Sequence, residues 1–179
     1  MNELPKTNGW QHYMGFYNSL SDADQKALVL MTSARNPVPP RSLQALFLGE
    51  KPMCFVSQYP ESVRDAIRNS GFIVGENYAG NPDEMARIIQ SHSDVFSDLP
   101  SDPAQLLNTI DKASNAELAI PRGLLLGFPR SAVEVFNTGS ELAAFGVDDY
   151  SWVDTPNSAV STERERNLRA VFETIDNRQ

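Results

Sequence analysis

The chain has 179 residues, 41% of them apolar and 21% charged, a composition that supports a sizeable core and excludes an intrinsically disordered chain. Acidic residues outnumber basic ones by 23 to 15, for a formal net charge of -8, which argues against nucleic acid or an anionic membrane as a direct partner. Cys54 is the only cysteine, so no intrachain disulfide can form and a Cys-based zinc site would need ligands from elsewhere.

The lone cysteine points to a reducing compartment. The first residues carry neither a basic region followed by an apolar run nor a small-residue cleavage site, and no stretch approaches the roughly 18 apolar residues of a membrane span. The expectation is a cytoplasmic protein forming a single domain over 1–179. Residues 1–50 read as a helical N-terminal part and 51–179 as an α/β core.

In chain order, Trp10, Tyr13, Met14, Tyr17 and Leu20 fall at the spacing of one helical face. Ser21 then caps a second helix whose buried stripe is Ala27, Leu28, Met31 and Ala34. The run Asn36-Pro37-Val38-Pro39-Pro40-Arg41 denies the backbone its donors and predicts an extended polyproline segment. A short helix over residues 42–48 follows, ending at Gly49.

Met53 to Val56 reads as a buried strand between two prolines. Pro60 suits the first turn of a helix with Val63, Ala66 and Ile67 on its face, Gly71 stops it, and Phe72 to Val74 is the next strand. If those strands are parallel, their connection is right-handed. Asn81-Pro82-Asp83-Glu84 is the strongest helix start, with a cap, a proline and acids at the positive end of the dipole. Met85, Ile88, Ile89, His92 and Phe96 would line that helix. Asp102-Pro103 repeats the start ahead of Leu106, Leu107, Ile110 and Ala113.

Leu124 to Leu126 is the most apolar run and predicts the central strand, followed by a helix through Val133 and Phe136. Tyr150 to Val153 is a fourth strand, and a final helix carries a capping pair, Thr162 and Glu165, with Leu168, Val171, Phe172 and Ile175 as its stripe. The fold class expected is α/β, with a small mixed or parallel sheet of three to four strands flanked by helices.

The block from Ile120 to Phe136 contains Gly123-Leu124-Leu125-Leu126-Gly127-Phe128-Pro129. It resembles the Gly-Leu-x-Leu-Gly-Tyr-Pro block of an uncharacterised bacterial domain of unknown function, with Phe128 in the tyrosine's place. The outline of the resemblance extends over residues 52–153. It implies an α/β fold and no activity.

For function, the sequence contains no catalytic constellation, metal motif or nucleotide loop, and no cofactor is expected. Gly127-Phe128-Pro129-Arg130-Ser131 is the best candidate site, because a glycine turn feeding a helix N-terminus offers backbone donors and positive dipole to an anion. If the strands ending at Val56 and Leu126 ran parallel and adjacent, Tyr59 and Phe128 would wall one crevice, with Arg130 and Ser131 receiving the anionic group. An ordinary strand-to-helix elbow is the competing reading.

His92 reads as a packed histidine more readily than as a general base. Trp10, His12 and Tyr13 read as a docking face more readily than as a stacking site. Asp148, Asp149 and Asp154 lack calcium-loop spacing, and Cys54 reads as inert. Two functions stay open. One is a non-enzymatic module whose acidic surface meets a basic protein partner. The other is a protein that binds, or an enzyme that acts on, an anionic small molecule at the elbows. No lysine or arginine lies between Ile88 and Ile110, or between Ser131 and Thr162, which favours the first.

Overall fold

Three short strands, β1 (Met53–Phe55), β2 (Ile73–Val74) and β3 (Tyr78–Gly80), form a sheet in the order β1-β3-β2. The computed structural model describes residues 6–33, 38–114, 117–128, 130, 133 and 134. β3 pairs antiparallel with both neighbours: Cys54 stands opposite Ala79 on one side and Val74 opposite Ala79 on the other. β1 and β2 therefore point the same way without touching. The expectation of a parallel or mixed sheet is corrected: the strand-helix-strand unit is present, but β3 is inserted between its two strands and every ladder is antiparallel.

Eight helices surround this sheet among the described residues: α1 (Lys6–Ser19), α2 (Asp22–Ser33), α3 (Val38–Phe47), α4 (Glu61–Asn69), α5 (Pro82–Ser91), α6 (Ser93–Phe96), α7 (Pro103–Lys112) and α8 (Ala119–Leu125). Side chains alternate across a strand, so a three-stranded sheet presents two apolar faces. One carries Cys54 and Ala79 into a cluster with Tyr13, Phe16, Leu28, Leu43, Phe47, Val63 and Ile67 from α1 to α4. The other carries Met53 and Tyr78 into a cluster with Met85, Ile88, Phe96, Leu106, Ile110 and Leu124 from α5 to α8. The result is helices, sheet, helices.

The first layer is built on aromatics. Phe47 meets Phe72 at 4.5 Å, Phe16 at 4.8 Å and Tyr13 at 5.5 Å between ring centroids. Tilted and edge-on pairs of this kind add to the gain from area burial. Burial pushes the Tyr13 phenol up to about 12, against a hydrogen bond with Gln44.

The helix starts read from sequence are present with their caps. Asn81 accepts from the N–H groups of Asp83 (3.1 Å) and Glu84 (3.2 Å). Asp102 accepts from Gln105 N–H (2.9 Å), and Ser21 Oγ accepts from Asp24 N–H (3.2 Å). Three readings are corrected. Residues from Val38 onward are helical, not extended, because the prolines at 39 and 40 fall in the first turn, where the missing N–H groups would bond to nothing. The helix after Asn81 ends at Ser91, and His92 (φ -125°, ψ 43°) separates it from α6.

The third correction concerns the sheet centre. Leu124 and Leu125 are the last residues of α8, and Leu126 is its C-cap, not a strand. A three-residue apolar run carries no periodicity and fits a buried helix as well as a buried strand. The centre belongs to β3, whose Tyr-Ala-Gly sequence has no β-branched residue to announce it. The strand expected at Tyr150 to Val153, the helix end at Phe136 and the C-terminal helix lie outside the described residues. Among the described residues no helix is long and apolar enough to cross a membrane.

Candidate functional site

Gly127 lies just past the end of α8, and Arg130, Val133 and Glu134 beyond the turn are again helical. Gly127 has φ +90°, its N–H bonds to Leu124 O (3.0 Å), and the Phe128 N–H reaches back to Gly123 O (3.0 Å). That crossed pair is a Schellman motif, which satisfies the last carbonyls of a helix and calls for glycine at the left-handed position. The donors expected to face an anion at Gly127 and Phe128 are thus spent on the helix before them.

Three residues on, Arg130 is engaged on both edges of its guanidinium. Nη1 and Nη2 donate to Asp94 Oδ1 (3.1 Å) and Oδ2 (2.7 Å) on α6, a bidentate fork, and Nε donates to Glu134 Oε1 (2.7 Å). These bonds hold Asp94 below the usual carboxylate range and raise Arg130 further. His92, two residues before Asp94, is held below its ordinary value by partial burial and by Arg130, against the pull of Asp94. An incoming anion at Arg130 would have to displace Asp94.

The two expected walls of the crevice belong to different layers. Tyr59 is buried in the cluster of α1 to α4, whereas Phe128 packs against the cluster of α5 to α8. Ser131 lies outside the described residues. His12 is a docking residue: its Nε2 donates to Ser70 O (2.8 Å), and its ring stacks on Phe72 and meets Phe47 edge-on. Cys54 is fully buried among the α1 to α4 side chains, in a different cluster from the helices flanking His92. Among the described residues, no three His, Cys, Asp or Glu side chains are grouped so as to hold a metal ion.

Three charged residues that the sequence reading passed over hold the fold together. Arg122 is buried on α8 and points Nη2 at the carbonyls of Ile110 (3.3 Å), Ala113 (3.1 Å) and Ser114 (3.1 Å), at the negative end of the α7 dipole. Asp111 accepts from the N–H groups of Glu76 (2.7 Å) and Asn77 (3.1 Å) in the β2–β3 turn. Its carboxyl is nonetheless pushed up, because burial outweighs the two donors. From the opposite layer, Arg64 Nη2 donates to Gly75 O (2.6 Å) in the same turn. Each partner lies 8 to 35 positions away in sequence, so no local pattern signals it.

Comparison of the chain with protein-family models, curated proteins and solved structures finds no match.

Proposed function

We propose that the chain is a non-catalytic interaction module whose acidic surface, formed along α5, α6 and the start of α7, receives a basic segment of a protein partner. The observation that carries this reading is the exposure of Asp94, Asp98 and Asp102 within a stretch with no lysine or arginine between Ile88 and Ile110, with Asp83 exposed on α5 before it. A predominantly acidic surface, on which Arg87 and the Arg130 seated on Asp94 are the basic groups, steers an oppositely charged partner and discriminates against like-charged ones. The reactive side chains fit a supporting role: Arg130, Asp111 and His12 are each engaged within the fold. A cytoplasmic setting belongs to the same proposal, through the single buried Cys54.

The test is capture from a lysate of the native host at low and high ionic strength, with the wild-type chain and with Asp83→Lys/Asp98→Lys. Neither substituted residue caps a helix through its side chain. The expected outcome is a basic protein retained at low salt, released at high salt and lost by the variant. A partner held equally by the charge-reversed chain would overturn the reading, as would the absence of any retained protein at low salt.

A further inference from the structure

Within the acidic surface, Asp94 already has a guanidinium seated on it. Arg130 Nη1 and Nη2 donate to its two oxygens at 3.1 Å and 2.7 Å, from 36 positions away in sequence. Both side chains keep access to solvent, so a partner can reach the pair. We propose that Arg130 is an internal stand-in for an arginine of the partner: it covers Asp94 while the chain is alone, and an incoming arginine takes its place. The exchange rests on the acidic surface being a receiver of basic segments, and it narrows the partner to one that carries arginine.

The geometry supports exchange over simple addition. The fork takes up both carboxylate oxygens, so a second guanidinium forms the same pair only after the first has left. Two parallel donors match the planar arginine head, which a lysine ammonium does not reproduce. Arg130 also has somewhere to stay, because its Nε donates to Glu134 Oε1 at 2.7 Å, four positions along the chain. Leaving Asp94 therefore costs Arg130 one partner and not both. Arg87 is paired with Glu84 on its own helix and takes no part.

The cover lowers the apparent affinity for the partner in proportion to the time Asp94 is taken. An exposed ion pair is weak, so the reduction is about two- to sixfold.

The test titrates labelled hexa-arginine and hexa-lysine peptides into the whole chain at low salt. Arg130→Lys keeps the charge and loses the fork. It should bind hexa-arginine more tightly than the wild type does, by up to about sixfold, with a smaller gain for hexa-lysine. In an Asp94→Asn background the same substitution should bring no gain. In the wild type, the two Arg130 Nη nitrogens should give separate NMR signals on Asp94 and one averaged signal once hexa-arginine is bound, a readout that needs no variant to fold. Signals that stay separate at saturation, or a gain that survives Asp94→Asn, would overturn the exchange. Hexa-arginine binding that is lost in Asp83→Lys/Asp98→Lys but indifferent to Arg130→Lys would also overturn it, while leaving the acidic surface in place. Binding of neither peptide at low salt would remove both readings.

Discussion

Asp111 occupies the space that a side chain at position 75 would need: a β-carbon built on Gly75 would overlap the Asp111 carboxylate and stand 2.6 Å from Leu107 Cδ2. That carboxylate cannot simply swing aside, because it holds the N–H groups of Glu76 and Asn77. Gly75→Ala is expected to destabilise the fold by about 1–3 kcal/mol, the usual cost of overpacking. In an Asp111→Ala background the same substitution should cost less, since the overlapping group is gone. Denaturant unfolding of the two single variants and the double variant measures that coupling; additive effects would mean that the two residues do not share the turn.

The pH dependence of stability should carry the signature of the Arg130–Asp94 fork. The folded Asp94 sits below its unfolded value, so its contribution is present above the unfolded carboxylate range and is lost as pH falls through the lowered folded value. The gap in stability between wild type and Asp94→Asn should close on acidification and shrink in high salt. A gap that persists in acid would show that Asp94 acts through packing.

Asp111 should behave in the opposite sense. Its folded value lies above the unfolded one, so the folded chain binds this proton more tightly. The contribution is fully present below the unfolded value and is lost as pH rises through the folded one. Comparing the stability-pH curves of wild type and Asp111→Asn isolates this term. Relative to the variant, the wild type should gain stability as pH drops through the carboxylate range.

Arg122→Met keeps much of the side chain's apolar volume while removing the donor shared by three carbonyls at the end of α7. Leaving buried acceptors without their donor costs about 1–3 kcal/mol. Hydrogen exchange should locate the loss in the last turn of α7, and unchanged protection there would place the role of Arg122 elsewhere.

Gly127→Ala tests the helix end. The nearest atoms to an added β-carbon, on Lys51 and Pro52, stand 3.8 Å away, so space is available and the strain is in the backbone alone. A cost of about 1–2 kcal/mol is expected from forcing a non-glycine residue to φ +90°. A thermal melt with no loss would mean that α8 can end without the left-handed turn.

How much of this was legible follows from the range over which each feature is encoded. The caps at Asn81 and Asp102, the strand at Met53 and the stop at Gly71 are set by neighbours within a few positions, and all are visible in the sequence. β3 was missed because its place at the sheet centre is decided by partners at residues 53–55 and 73–74, not by its own propensities. Leu124 to Leu126 was misassigned because apolarity alone does not distinguish a buried helix end from a strand. At the candidate site, Arg130 was singled out for an anion to come from outside. That its fork already holds Asp94, 36 positions earlier, depends on how α6 and the residues after α8 come together in space.

The strand order also dictates when the sheet can exist. β1 and β2 are both made before the strand that joins them, so a chain growing from its N-terminus has no ladder to form until Tyr78 to Gly80 emerges. The β2–β3 hairpin is local and can close at once, whereas β1 must be recruited across the whole of α4, the slower kind of pairing. Until that moment Met53, Cys54 and Phe55 are an apolar edge without a neighbour, which makes the interval before β3 arrives the time when this chain is most exposed to pairing with another copy of itself.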